Sequence, residues 1–176
     1  ELPFYFVQIA PFAYGQPEEG VLVREAQRRV KQKVGNTGMV VISDIADVED
    51  IHPKEKLEVG TRLARMVLKQ HYEALDELVE SPLLSGIDIQ KNKVYVKFDH
   101  CEGLYFDPNS ESLFELAGAD GVFFPARARI RDERILVVSS EVKAPVYVRF
   151  AWGNTSLSNL FNVAGLPASS FSTFRP

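Results

Sequence analysis

The feature that most constrains this chain is a change of hydrophobic period near residue 80. Before that point apolar residues come in short continuous runs or at helical spacing; after it they alternate with polar ones. The run Phe4, Tyr5, Phe6, Val7, Ile9, held between Pro3 and Pro11, predicts a strand buried on both faces, the habit of parallel sheets. After a Gly/Pro-rich loop over 15–20, Val23, Ala26, Val30 and Val34 recur at helical spacing and Gly35 supplies a stop, which predicts an amphipathic helix with that face inward. The apolar run 39–42 predicts a second buried strand. An acidic loop then leads to Pro53, suited to the first turn of a helix whose apolar residues are Leu57, Val59, Leu63, Met66 and Val67, ending near His71.

Beyond residue 80 the segments 93–98, 126–131, 134–140 and 146–152 alternate with period two. Turn residues separate them at Lys91-Asn92, at 131–134 and at Ala144-Pro145. The expected fold is therefore α/β plus all-β: a parallel α/β part over 1–80 and an antiparallel β-sandwich-like domain over 81–176, divided at 81–86. From Gly153 the chain is rich in Gly, Asn, Ser and Pro and reads as an irregular tail laid over a surface, anchored by Leu160, Phe161, Leu166 and Phe171.

Composition removes several classes of function. A net charge of −4 with dispersed Lys and Arg gives no general attraction to nucleic acid or to anionic membranes, and neither is expected as a partner. No apolar run approaches the roughly 20 residues that span a bilayer. One cysteine, Cys101, forms no internal disulfide and leaves the redox compartment open. The chain opens on Glu1-Leu2-Pro3-Phe4 and runs directly into a strand pattern without a signal-peptide signature, which reads as the later part of a longer polypeptide.

Chemistry concentrates at 42–56. Asp44, Asp47, Glu49 and Asp50 crowd His52 just after a predicted strand end, and in open parallel sheets ligands sit outside the carboxyl ends of strands. A histidine beside a carboxylate suits proton transfer near neutral pH. The residues alone leave two readings open: an acid–base pair, or a solvated loop in which Asp50 caps the helix beginning at Pro53. A metal site is disfavoured because no second histidine is near. No G-x-S-x-G occurs, and Ser43 ends a strand without a glycine-rich elbow. Arg127, Arg129 and Arg131 share one face of a strand and could bind an acidic sugar, although a solvated face is the simpler account. Asp99-His100-Cys101-Glu102 reads as a turn, and Trp152 as a core or interface aromatic.

Four segments together carry a family resemblance: FYFVQIAPF (4–12), LVREAQ (22–27), MVVISDIADVEDIHPKEKLEVGTRLA (39–64) and VRFAWGNTSLSNLFNVAGLPASSF (148–171). In this order they resemble the C-terminal part of the sialate O-acetylesterases, so the 1–80 part is expected to be the C-terminal piece of an SGNH-like α/β hydrolase sheet. The resemblance implies a serine esterase that removes acetyl groups from sugar hydroxyls, typically of sialic acid, without metal or organic cofactor. His52 matches the family's histidine; its partner is Asp50 first, then Asp47, then Glu49. Gln8 and Arg24 fall in family-like segments as candidate substrate-binding residues. The family's serine and oxyanion donors have no counterpart here, so an N-terminal segment or companion chain is expected to bring them, and the chain alone is expected to be inactive. The resemblance suggests a secreted, periplasmic or lysosomal setting. The competing expectation is a non-catalytic carbohydrate-binding or interaction module.

Overall fold

The computed structural model describes residues 2–174. Strand β1 (Phe4–Val7), helix α1 (Glu19–Lys33), strand β2 (Thr37–Val40) and helix α2 (Lys56–Gln70) come first. β1 and β2 pair in parallel, with Phe4 opposite Thr37 and Val7 opposite Val40. A parallel pair needs a crossover, and α1 supplies it. Alternate side chains serve opposite sides of the pair. Tyr5, Val7, Val40 and Ile42 gather around Met66 of α2, whereas Phe6, Met39 and Val41 pack with Leu83. A Cβ on Gly38 would stand 2.4 Å from the Tyr5 ring and 2.6 Å from the Met66 sulfur, so the absent side chain lets α2 lie close.

Helix α1 reverses the orientation that its spacing predicts. Val23, Ala26, Val30 and Val34 are exposed, while Gly20, Val21, Arg24, Glu25 and Arg28 are buried. The cause lies in what the buried face meets. The Arg24 guanidinium donates to the carbonyls of Gly153 and Asn154 and to Ser170 Oγ, all in the tail. Glu25 takes both Nε and Nη2 of Arg28, at 2.8 and 2.7 Å, and Nε of Arg29 at 2.6 Å. Gln32 donates to the Leu84 carbonyl. A buried cation is tolerated only when its donors are satisfied, and here irregular backbone satisfies them.

The remaining strands are β3 (Leu83–Gln90), β4 (Lys93–Asp99), β5 (Tyr105–Phe106), β6 (Phe114–Ala117), β7 (Phe123–Arg131), β8 (Arg134–Val138), β9 (Tyr147–Phe150), β10 (Leu160–Phe161) and β11 (Phe171–Ser172). Seven form one antiparallel sheet in the order β11-β9-β6-β7-β8-β4-β3, and β5 with β10 forms a separate short pair. β7 bends the sheet: Phe123–Ala126 pair with β6, and Arg127–Arg131 pair with β8. The two ends approach each other, since Ser169 just before β11 donates its N–H to Pro82 just before β3 at 3.1 Å. Inward residues of every strand fill the middle, with the Phe114 ring meeting those of Phe106, Phe150 and Phe171. At the β7–β8 turn Asp132 and Glu133 both have positive φ, the twist that two-residue hairpins need.

This architecture corrects the expected fold class. Parallel pairing is confined to β1 and β2 among the described residues, so no SGNH-like parallel sheet is present; the dominant element is a single curling antiparallel sheet, nearly closed like a barrel, where a sandwich was expected. The reason is strand length. The apolar run at 4–12 leaves its ladder after Val7, the run at 39–42 leaves after Val40, and the next strand pairs antiparallel. Arg24→Leu should lower unfolding stability by about 3 kcal/mol, because it removes the charge-assisted hydrogen bonds to the Gly153 and Asn154 carbonyls, which then keep only the N–H groups of Ser156 and Phe12. Urea unfolding followed by tryptophan fluorescence measures it, and a loss under 1 kcal/mol would contradict this account of the seam.

Candidate active site

After Val40 the chain stays buried through Ser43 and then emerges as a loop at the carboxyl end of β2. The root of this loop is gripped by α2. Arg62 donates both terminal nitrogens to Asp44 at 2.8 and 2.7 Å, one of them also to the Val41 carbonyl at 2.9 Å, and its Nε to Glu58 at 2.7 Å. Burial acts to lower the Arg62 pKa, but the bonds to Asp44 and Glu58 outweigh it and hold the group above its ordinary value. Further out, Ala13 donates its N–H to the Val48 carbonyl at 3.0 Å, tying the loop to the segment that follows β1.

Within the loop the carboxylates take different partners. Asp50 donates its N–H to the Asp47 carbonyl at 3.1 Å, closing a tight turn. Asp47 accepts the Glu49 N–H at 3.1 Å and the Lys54 ammonium at 2.7 Å. Asp50 Oδ1 accepts the His52 backbone N–H at 2.9 Å and lies 3.0 Å from His52 Nδ1. No hydrogen bond or ion pair joins Glu49 or Asp47 to the ring. Helix α2 starts at Lys56 with Glu55 before it and without a side-chain cap, so Asp50 is not the cap of that helix. Its carboxylate is turned to the imidazole instead.

This geometry defines a dyad. With Nδ1 donating to Asp50, Nε2 is left as a proton acceptor, and a fixed carboxylate stabilises the imidazolium that forms when Nε2 takes a proton. The His52 side chain is 80% exposed, so its outer side has no protein wall among the described residues. The serine nearest in sequence, Ser43, is buried with its Oγ unbonded and does not meet the ring.

Gln8 and Arg24 lie together, but elsewhere. Gln8 is buried just past β1 and donates to the Arg24 carbonyl at 3.0 Å and to Ser169 Oγ at 2.9 Å, while its Oε1 has no partner. Burial pushes the Arg24 pKa down to about 10, which leaves it charged at neutral pH. Both residues sit in the seam between α1 and the tail, and no hydrogen bond or ion pair links them to His52. Asp99-His100-Cys101-Glu102 forms the expected turn after β4, with His100 at positive φ.

Two positioning residues were not anticipated from sequence. Arg62 fixes the loop root, and its signal was an arginine set among the apolar residues of a helix. Asn154 accepts the Gly20 N–H at 3.0 Å and donates to the Gln16 carbonyl at 2.8 Å, and its own carbonyl accepts from Phe12. It thereby holds the loop after β1 against the tail, and no local pattern marks it.

A fold of this class, with a short parallel β/α unit joined to a curling antiparallel sheet, has a solved counterpart. The chain superposes on the crystal structure of a carbohydrate acetylesterase from Xanthomonas citri with a TM-score of 0.90 and 35% sequence identity, over 99% of this chain and 41% of that one. It therefore spans about two fifths of the length of that protein. No family model matches the sequence, and no curated protein does.

The two loop carboxylates give a direct test of the dyad. The bonds from His52, its backbone N–H first, hold Asp50 below the ordinary carboxylate range, and Lys54 does the same for Asp47. Depressed folded values stabilise the loop at neutral pH, and that contribution is lost as pH falls through them. Carbon-13 NMR titration should find both carboxyls titrating low, with Lys54→Met raising Asp47 more than Asp50. Ordinary values for both would show that neither contact persists in solution.

Proposed function

We propose that this chain is the histidine-bearing part of a carbohydrate O-acetylesterase, working with a serine carried on other polypeptide. Its substrate is an O-acetylated sugar, with acetylated sialic acid the specific candidate. The observation that carries the reading is the Asp50–His52 contact, on a fold 35% identical in sequence to a carbohydrate acetylesterase.

In this mechanism His52 Nε2 takes the proton of the serine hydroxyl as its oxygen attacks the acetyl carbonyl, and Asp50 stabilises the resulting imidazolium. When the tetrahedral intermediate collapses, the C–O bond to the sugar breaks and His52 returns the proton to the departing sugar oxygen. His52 then takes a proton from water as it attacks the acetyl-serine. Collapse of that second intermediate breaks the bond to the serine, which regains the proton, and acetate leaves. Donors from the same outside polypeptide hold the oxyanion.

Two features support a second polypeptide against this chain. A base so open to water lacks the exclusion that makes such chemistry efficient. The outward face of α1 also offers Val23, Ala26, Val30 and Val34, with Phe4 beside its end where Phe4 N–H meets the Asn36 carbonyl at 3.0 Å. Contiguous exposed apolar side chains of this kind mark interaction surfaces.

In the assembly that holds the serine, His52→Ala should lower kcat for acetyl release by about a thousandfold or more while the fold persists. Asp50→Asn should cost at least about a hundredfold, and Asp47→Asn little. Unchanged release by the His52 variant would remove the dyad from the chemistry and favour the binding-module alternative.

A further inference from the structure

The arginines of β7 belong to a larger array than their own strand shows. Along β7 the residues Arg127, Arg129 and Arg131 point outward while Ala126 and Ala128 face the core. The register carries their face across three more strands. Arg131 lies opposite Arg134 of β8, and Arg129 opposite Leu136. Leu136 lies opposite Tyr95 of β4, and Tyr95 opposite Asp88 of β3. The outward positions that flank Tyr95 on β4 are Lys93 and Lys97, so six cations share one side of a four-stranded surface.

The cations on this surface outnumber its acids. Among the described residues none of the six makes an ion pair or a side-chain hydrogen bond; Arg134 alone is engaged, lying 5.1 Å over the Tyr95 ring. Among the arginines the contrast is clear, because Arg28, Arg29, Arg62, Arg65 and Arg149 pair with carboxylates and Arg24 with carbonyls, whereas Lys31, Lys33, Lys56, Lys91 and Lys143 elsewhere are as unpaired as Lys93 and Lys97. Asp88 and Asp99 are the acidic residues among the outward positions of β3 and β4. The whole chain carries −4, so its negative excess lies entirely elsewhere. Same-face residues repeat at about 6.8 Å along a strand and about 4.8 Å between strands. The result is a grid of guanidinium and ammonium groups with an aromatic and an aliphatic side chain in its middle. At the Arg127 corner the surface dips into a depression of about 300 Å³ lined by Asn92, Pro125, Arg127, Val138, Ser139 and Ser140.

We infer that this outer face of β3, β4, β7 and β8 binds a glycan chain bearing carboxylates, holding an acidic polymer while its acetyl groups are removed at the His52 site. Planar guanidinium groups meet carboxylates in two parallel hydrogen bonds, the recognition such spacing favours. A sugar ring has an apolar face for Leu136. Duplex nucleic acid, with a charge every 1.7 Å or so, would bring its dense phosphates against the acidic remainder of the protein. A glycan with at most one carboxylate per sugar carries far less charge and fits a local patch. The inference rests on the proposed sugar substrate for its ligand class, and on the register and the unpaired cations for its location.

The test is binding of the chain to α2,8-linked polysialic acid, with dextran and single-stranded DNA of equal charge as comparators. Polysialic acid should bind with a Kd that rises steeply with salt; dextran should not bind, and the DNA should bind more weakly. The triple variant Arg127→Gln/Arg129→Gln/Arg131→Gln should lose at least about tenfold in affinity, and Lys31→Gln/Lys33→Gln/Lys143→Gln, with the same change in net charge, less than about twofold. Equal loss in both variants, equal binding of dextran or tighter binding of DNA would overturn the inference. Acetyl release from a small neutral acetylated sugar by the serine-bearing assembly tests the esterase reading separately. If release is absent while polysialic acid binds, the face stands and the enzyme does not; the reverse result overturns the face alone.

Discussion

The structure turns on one buried guanidinium. Arg24 reaches from the middle of α1 to the carbonyls of Gly153 and Asn154, and this contact decides how the N-terminal β/α unit meets the antiparallel sheet. A charged group taken out of water must find acceptors, and the irregular backbone at the start of the tail presents them. The helix therefore rotates its charged side inward and gives up its valines to solvent. Gln8 bonds the carbonyl of the same arginine, and Asn154 bonds the first turn of the same helix, so strand end, helix and tail lock as a unit. The segment after β1 is held in turn against the loop that carries His52, through Ala13 and Val48. Loss of the seam would reach the dyad by that route.

The site itself follows a division of labour among carboxylates. Asp44 is spent on Arg62 and holds the loop root; Asp47 is spent on Lys54; Asp50 alone is directed at the ring. A loop with four acids beside one histidine thereby turns one carboxylate, that of Asp50, to the ring. That pair is exposed, and so are the outward valines of α1. The cations on the outer face of β3, β4, β7 and β8 take no part in these ion pairs.

How much was legible in the sequence depended on whether the deciding contact was local. β4, β7, β8 and β9 were readable because alternation survives wherever one face of a sheet is buried. β3 was not, since a bulge between Leu84 and Gly86 breaks its period, and β5, β10 and β11 are two residues each. The presence of α1 was readable, but its orientation was not, because the acceptors for Arg24 lie about 130 residues away in the chain. The expectation of an extended parallel sheet came from apolar runs that outlast their ladders. At the site, the approach of Asp50 to His52 was foreseeable from a spacing of two within a turn. The capture of Asp47 by Lys54 and the grip of Arg62 on Asp44 were not, because both depend on how the loop folds back on itself. The arginines at 127, 129 and 131 were visible as a stripe, and only the register showed that the stripe is part of a field.

The central claim is that the His52 imidazole, oriented by Asp50, accepts the proton of a serine from outside this chain. The most direct measurement is a crystal structure of the complete serine-bearing assembly after reaction with a phosphonate that labels nucleophilic serines. The account predicts a labelled serine whose Oγ lies within hydrogen-bond reach of His52 Nε2, roughly 2.6–3.2 Å, with Asp50 still on Nδ1. A labelled serine served by another histidine, with the His52 ring left in solvent, would contradict it.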